Sequence, residues 1–246
     1  MKLLSLAAAL LLTSTGAAQA QNTFTIQSNG APTGKCVYSF DKTKDGYKIV
    51  SRYQARTVSQ FKEADAADPI TRNGSSIQQT HSYKLDTNYG YTGGNVVDST
   101  SQITNGYSPN KPHTELLLTT LQAGIQGPSK DLPLMAGYIV APNYDASALQ
   151  ALLSQATSHP TADGLYFLIV PQDPKSGPKS GQIKWTALAD TTGTLAGKTL
   201  TVHHYGFSYG KPLYNIYADE TNTLMQVDLS SPNVSYVRSG FVLAAQ

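Results

Sequence analysis

A short segment of the chain, residues 206–210, reads Gly-Phe-Ser-Tyr-Gly and matches the pattern that presents the nucleophile of many serine hydrolases. That chemistry needs a strand before the serine and a helix after it, because the sharp turn between them exposes the hydroxyl. Residues 211–217 instead alternate like a second strand, and all five histidines precede Ser208, whereas the hydrolase fold places its histidine afterwards. We predict no catalytic residues here, although an unrecognised hydrolase with a non-local site stays an alternative.

A second apparent motif, residues 193–199, reads Gly-Thr-Leu-Ala-Gly-Lys-Thr and resembles a phosphate-binding loop. It is one residue short of the G-x-x-x-x-G-K-[ST] pattern, and the backbone N–H groups need the full length to surround the phosphates. A helix should follow to aim its N-terminus at the phosphates, but residues 200–207 alternate like a strand. We interpret this match as accidental.

Metal and acid–base chemistry are also poorly supported by residue spacing. His203 and His204 are neighbours, so on a strand they face opposite sides of the sheet and cannot easily share one ion. Asp219 and Glu220 lie in a predicted turn between strands, where solvent keeps either carboxyl from acting as a proton donor near neutral pH. We expect no metal site and no cofactor.

Cys36 is the single cysteine, so an internal disulfide cannot staple this chain. It lies in a run of alternating apolar residues, which predicts a buried, unreactive thiol. An intermolecular disulfide or a reactive thiol is the alternative.

The first twenty residues predict export. A basic start at Lys2 precedes an almost unbroken apolar run at 3–12, and residues 18–20 form an A-x-A cleavage site. We expect residues 1–20 to be a signal peptide removed at about Ala20, leaving residues 21–246 in the periplasm or outside the cell. No later segment is long and apolar enough to span a bilayer, so we expect no transmembrane segment in the mature chain.

Composition narrows the partners. The formal net charge is +2, and only 14% of residues are charged, which argues against nucleic acid as a partner. Polar uncharged residues and tyrosine supply much of the polarity, as is common in exported β-proteins.

Strand patterns separated by turn residues dominate residues 21–246 and predict a single antiparallel β domain. Residues 44–46 predict a hairpin turn, Asn105-Gly106 and Gly193 predict further turns, and residues 115–121 fit either a strand or a helix start. The predicted strands are 35–40, 47–56, 77–85, a weak pair within 89–104, 164–170, 182–189, 199–209, 213–217, 224–229 and 234–243. Residues 132–140 form an apolar run that we expect to be buried.

One helix is predicted at 145–157. Leu149, Leu152 and Leu153 form an apolar stripe among alanines, and Asp145 suits the N-cap. A single stripe with a polar back predicts a helix that packs on the sheet.

The strands at 199–217 carry the candidate binding residues. Alternation places Tyr205, Phe207 and Tyr209 on one face of their strand, and Tyr214 and Ile216 on one face of the next. We predict that these five residues either pack in the core or line a hydrophobic ligand site.

The C-terminal third has a distinctive cadence. Residues 213–219 read Leu-Tyr-Asn-Ile-Tyr-Ala-Asp, followed by Leu-Met-Gln-Val-Asp-Leu at 224–229 and Tyr-Val-Arg at 236–238. This stretch resembles the end of periplasmic proteins of the LolA/LolB-like superfamily and its uncharacterised relatives. The resemblance implies a strongly curved antiparallel sheet, a half-barrel or open barrel, with one packed α-helix and a cavity for acyl chains or similar ligands.

Besides the unrecognised hydrolase, two functional hypotheses follow from these patterns. The leading hypothesis is a non-catalytic binding protein for a lipophilic or other hydrophobic small molecule. The alternative is a structural or interaction domain whose sheet edges or tyrosine-rich surface bind an envelope protein.

Overall fold

Alternating apolar residues build nearly the whole molecule from strands. The computed structural model describes residues 21–56, 76–110, 115–133, 138–140, 146–158, 166–170, 179–208, 213–230 and 233–244. The first half contains β1 (Asn22–Ser28), β2 (Ala31–Thr43), β3 (Gly46–Arg56), β4 (Ser76–Leu85), β5 (Tyr91–Asp98), β6 (Ile103–Pro109), β7 (Glu115–Gln122), β8 (Ile125–Gln126) and β9 (Lys130–Pro133). The second half contains β10 (Tyr138–Val140), α1 (Ala146–Ser158), β11 (Tyr166–Val170), β12 (Lys179–Ala187), β13 (Thr191–Leu195), β14 (Lys198–Ser208), β15 (Leu213–Ala218), β16 (Leu224–Leu229), β17 (Val234–Arg238) and β18 (Phe241–Leu243).

The strands join into one hydrogen-bonded sheet. Its neighbours run β9, β7, β6, β5, β4, β3, β2, β1, β17, β16, β15, β14, β12, β11, β10. Every pair is antiparallel except β10 with β11. The ends β9 and β10 do not pair with each other within the described residues, so the sheet is not closed into a barrel. The predicted mainly β, antiparallel fold is confirmed.

Curvature follows from the position of the helix. α1 contacts β2, β3, β10 and β16, which are widely separated in the strand order. Strands lie about 4.8 Å apart and a helix is about 10 Å wide, so a flat sheet could not bring them all to one helix. The sheet therefore curves around α1. We call the side that faces the helix the concave face and the opposite side the convex face.

The helix lies where the apolar stripe of leucines among alanines predicted it, but its surroundings differ from the expectation. The structure buries ten of its residues, including the polar side chains of Ser147, Gln150 and Gln155. The predicted polar back is therefore also enclosed, because the curved sheet surrounds the helix rather than supporting it from one side. Asp145, the predicted N-cap, lies outside the described residues.

A second, smaller core covers part of the convex face. Strand β13 pairs with β14 and with β18, and this small group of strands packs Val202, Tyr217, Met225 and Phe241 together. Gly193 was predicted as a turn but lies inside β13, opposite Leu243. A Cβ at this glycine would lie 2.6 Å from Cε2 of Phe241, so its role is to admit that ring.

Two other differences have local causes. Asn105-Gly106, predicted as a turn, lies within β6, where Gly106 makes room for the Thr119 side chain. The turn comes earlier, because Oδ1 of Asp98 accepts the backbone N–H groups of Thr100 and Ser101. Strand β1 was not predicted at all. The predicted hairpin at residues 44–46, by contrast, is confirmed by β2 and β3, and residues 115–121 form a strand, β7.

Candidate functional site

Three neighbouring strands bring a group of aromatic side chains together on the concave face. Phe207 on β14 lies between Trp185 of β12 and Tyr214 of β15 in the strand register. Tyr205, two residues earlier on β14, lies opposite Ile216. We call these five residues, Trp185, Tyr205, Phe207, Tyr214 and Ile216, the aromatic wall.

Strand alternation separates the wall from the convex face. Tyr205 and Phe207 belong to or pack against the main core around α1. Val202 and His204 point the other way: Val202 joins the second core, and His204 stacks on Tyr217 with ring centroids 4.5 Å apart. The two faces of β14 are thus those that the alternation predicted.

The wall has a deep part and a rim. Phe207, Tyr214 and Ile216 are 1%, 5% and 0% exposed, so they are core residues as well as wall residues. Tyr205 and Trp185 are only half-buried, and their rings lie 5.7 Å apart. Any ligand would therefore first meet the two rim rings. Tyr209, the remaining predicted site residue, lies outside the described residues.

The polar atoms at this rim differ sharply in their partners. The hydroxyl of Tyr205 donates to Oδ1 of Asn222 at 3.0 Å. Burial, together with the nearby charge of Asp190, raises the pKa of the Tyr205 phenol, which keeps it protonated. Nε1 of Trp185 is buried, and no acceptor for its N–H lies among the described residues. The rim thus holds one satisfied hydroxyl and one unused donor.

Trp185 is the wall residue that sequence reasoning missed. It lies in the predicted strand 182–189, but nothing in the sequence pairs that strand with β14 rather than with a nearer neighbour. The pairing of Trp185 with Phe207 skips β13, which turns away to the convex face. An alternation analysis of residues 179–187 would have placed Trp185 and Ile183 on one face, and that was the available signal.

Helix α1 is fastened to the wall side by one buried amide. Nε2 of Gln150 donates to the carbonyl oxygen of Asn222 at 2.9 Å, and Oε1 accepts the N–H of Leu224 at 2.8 Å. Oε1 also accepts the hydroxyl of Tyr38 on β2 at 3.3 Å. Gln150 therefore links the helix to both halves of the sheet, and Asn222 joins helix and rim.

The other half of the concave face carries a row of polar groups across β2 to β5. Sγ of Cys36 lies 3.4 Å from Oγ of Ser51, and Ser51 lies opposite His81 in the register. Nε2 of His81 lies 3.2 Å from Oε1 of Gln79, whose Nε2 donates to Asp98 at 3.1 Å. Cys36, Ser51 and His81 have side chains of types that can react, but all three are 0% exposed. A substrate therefore cannot reach them in this structure.

The motifs set aside in the sequence occupy hairpins. Residues 193–199 turn from β13 into β14 at Ala196 and Gly197, whose φ angles are 50° and 80°. Ser208 lies opposite Leu213 in the antiparallel pair of β14 and β15, so the serine motif spans a strand-to-strand connection.

The histidine pair and the acidic pair are also separated by structure. His203 pairs with Asp190 at 3.2 Å, whereas Nε2 of His204 contacts Asn215 on the convex face at 3.2 Å. Oδ1 of Asp219 accepts the N–H groups of Thr221 and Thr223 and so fixes its hairpin turn. Within the described parts of the chain, no three His, Cys, Asp or Glu side chains gather in a way that could hold a metal ion.

Membrane crossing by a helix is likewise absent in the described ranges. No helix there has the length and apolar character needed to span a bilayer.

Comparison with known proteins supports the fold. No protein-family model matches the chain, and no curated protein matches its sequence. A β-barrel-like protein of the domain of unknown function DUF1849 from Brucella abortus is similar in structure, with a TM-score of 0.52 and 8% identity, over 92% of this chain and 97% of that one. A DUF1089 family protein from Pseudomonas aeruginosa has a TM-score of 0.46 and 13% identity, over 77% of this chain and 87% of that one. At such low identity the first likeness shows the curved, barrel-like sheet alone, and membership of the LolA/LolB-like superfamily stays a prediction.

Proposed function

We propose that this protein is an exported, non-catalytic binding protein for a hydrophobic small molecule such as an acyl chain. The aromatic wall is the observation that carries the proposal. Three strands bring four aromatic rings and an isoleucine to one part of the concave face. Aromatic and aliphatic side chains with a few polar groups at the edge are the usual lining of small-molecule sites.

The ligand would enter at the rim. Trp185 and Tyr205 are half-buried there, while the deeper wall is enclosed between the sheet and α1. An apolar ligand that covers the free sides of these two rings gains affinity from removing their surface from water. Asn222 and Gln150 hold the helix beside the rim and so define its second side.

Export and the periplasmic or extracellular location belong to the same proposal. They rest on the apolar run and A-x-A site at residues 1–20, which lie outside the described residues. A carrier or scavenger of hydrophobic molecules in the envelope would need this route, because such ligands cross aqueous compartments poorly without a protein.

Trp185 provides the direct test because it is the single tryptophan. The purified protein is titrated with methyl palmitate and with the neutral hydrophobic probe N-phenyl-1-naphthylamine, and the tryptophan emission is recorded. We expect a saturable change and shift of the Trp185 emission. An emission spectrum unchanged by either compound, in protein shown to be folded by circular dichroism, would overturn the proposal.

A matched pair of variants locates the binding. Tyr205→Ala removes a rim ring of the wall, whereas Tyr89→Ala removes a half-buried ring that stacks on Tyr47 in the other half of the sheet. We expect Tyr205→Ala to weaken binding about tenfold and Tyr89→Ala to leave it unchanged. Equal losses would place the site elsewhere.

An exposed apolar strip supports the second candidate, a protein-interaction domain. Val97, Leu117, Leu121 and Ile125 are 37%, 39%, 39% and 75% exposed. Val97 and Leu121 align across β6 on the convex face. Light scattering of the purified protein, with Leu121→Lys as the variant, tests whether this strip joins two copies. A protein that stays monomeric at all concentrations would rule out self-association through this strip.

A further inference from the structure

One polar atom at the rim has no use in the fold. The buried side-chain atoms without a hydrogen-bond partner in the part of the chain that the structure describes include two donors, Nε1 of Trp185 and the hydroxyl of Tyr107. Such groups are rare in proteins, because a buried donor loses its bonds to water and gains none in return. Each one therefore needs an explanation.

The surroundings of the two groups differ. Tyr107 is 2% exposed and lies within the main core, where its own backbone carbonyl accepts the hydroxyl of Tyr91. Trp185 is half-buried at the rim of the aromatic wall, against Tyr205 and Phe207. Of the two residues, only Trp185 has surface that a bound molecule can contact, and its Nε1, which is shielded from water in this structure, would meet a ligand atom after a small movement of the ring.

We propose that the ligand of the aromatic wall carries a hydrogen-bond acceptor, a neutral carbonyl group, that accepts the indole N–H of Trp185. This inference rests on the proposed function and names the class of ligand: esters, ketones and amides with an apolar body, rather than plain hydrocarbons. The rings of Tyr205 and Phe207 would contact the apolar body next to the carbonyl.

Charge around the rim favours a neutral acceptor over a carboxylate. Asp190 is close enough for its charge to act on the Tyr205 phenol, and it also lies 3.2 Å from Nδ1 of His203. A second anion placed at the rim would be repelled by Asp190. Lys184 is exposed, and it neighbours Trp185 on the strand, so its side chain leaves from the opposite face.

Two nearly isosteric compounds test the acceptor. Benzophenone and diphenylmethane differ by a carbonyl in place of a methylene group. Isothermal titration calorimetry measures the affinity of each compound. We expect benzophenone to bind about tenfold more tightly than diphenylmethane, because its carbonyl oxygen accepts the buried indole N–H of Trp185. We also expect 4-benzoylbenzoate, an anionic relative of benzophenone, to bind more weakly than benzophenone at neutral pH.

Nuclear magnetic resonance reads the proposed bond directly. The ¹⁵N-labelled protein has one indole N–H signal because it has one tryptophan. Benzophenone should shift its proton resonance downfield, as a new hydrogen bond does, whereas diphenylmethane should not. Trp185→Phe keeps an aromatic ring but removes the donor, and it should lower the affinity for benzophenone to that for diphenylmethane.

The outcomes separate the inference from the proposed function. Equal binding of benzophenone and diphenylmethane, in the wild type and in Trp185→Phe, would overturn the acceptor and leave the hydrophobic site standing. Tighter binding of 4-benzoylbenzoate than of benzophenone would overturn the neutral class of ligand. If none of the three compounds binds and methyl palmitate also fails, the proposed function itself is overturned.

Discussion

The two halves of the concave face satisfy their polar groups in different ways. In the half formed by β1 to β7, two tyrosine hydroxyl groups are paired with the helix, Tyr38 with Gln150 and Tyr83 with Ser147 at 3.1 Å, while the hydroxyl of Tyr107 has no partner in the described chain. In the half formed by β12 to β17, the rings of the aromatic wall pack by shape, and the indole N–H of Trp185 is left over. The first half thus supplies two hydroxyl groups to the helix, whereas the indole N–H left over in the second half belongs to a half-buried residue at the rim.

Under the proposed function, this difference separates the residues that stabilise the fold from those that bind the ligand within one sheet. Buried hydrogen bonds hold elements in a unique arrangement because an unmade bond is costly. A binding surface needs the opposite property, a polar group whose partner arrives from outside. The substitutions below test that separation, beginning with the largest expected effect.

Removing a deep ring of the wall should damage stability most. Phe207 is 1% exposed and contacts Trp185 at a centroid distance of 6.5 Å. Phe207→Ala should lower the free energy of unfolding by about 3–5 kcal/mol, because it leaves a cavity in the core. Urea unfolding followed by circular dichroism measures this loss. A loss below 1 kcal/mol would mean that the deep wall is already open to solvent.

The buried amide of the helix should come next. Gln150→Leu removes the donor to Asn222 and the acceptor of the Leu224 N–H, both at the β15–β16 turn. We expect a loss of about 2–4 kcal/mol in unfolding free energy, since these backbone groups stay buried without partners. Thr157→Ala near the end of the same helix is the control, because its hydroxyl bonds only within the helix and should matter little.

Sequence reasoning found most of the strands, the helix and the two faces of β14, because each depends on a local pattern of apolar residues. It placed Tyr205, Phe207, Tyr214 and Ile216 together for the same reason. It did not find β1 or β13. It missed the enclosure of α1 and the arrival of Trp185 beside Phe207, since both depend on pairing between distant strands. It misplaced Gly193 and Asn105-Gly106, where glycine serves a close contact across the sheet rather than a turn.

Two tyrosines on neighbouring strands should respond with opposite signs. Tyr91 donates its hydroxyl to the carbonyl oxygen of Tyr107 at 3.3 Å, whereas the hydroxyl of Tyr107 has no partner in the described chain. Tyr91→Phe should lower the unfolding free energy by about 1 kcal/mol. Tyr107→Phe should leave it unchanged or raise it by up to about 1 kcal/mol, because it removes an unmet hydroxyl. Thermal melts of the two variants side by side decide this, and a destabilised Tyr107→Phe would reveal a hidden partner.

The smallest expected effect is a pH dependence at the end of the polar row. Burial raises the pKa of the Asp98 carboxyl, but the hydrogen bonds from Gln79, Ser101 and Thr100 lower it more, so the net shift is downward. A carboxyl whose pKa is lower in the folded state stabilises the fold above its unfolded pKa of about 4, and that stability is lost as the pH falls below this value. Because Asp98 is only partly buried and solvent screens its charge, the contribution should not exceed about 1 kcal/mol.

Urea unfolding between pH 7 and pH 3 measures that contribution when the wild type is compared with Asp98→Asn. The difference in stability between the two proteins should shrink as the pH falls, since protonation makes the wild type resemble the amide. Asp45→Asn, at the exposed β2–β3 turn, is the matched control for the removal of one surface carboxylate. If the difference in unfolding free energy between the wild type and Asp98→Asn stays constant across this range, the hydrogen bonds of the Asp98 side chain, rather than its charge, account for its contribution.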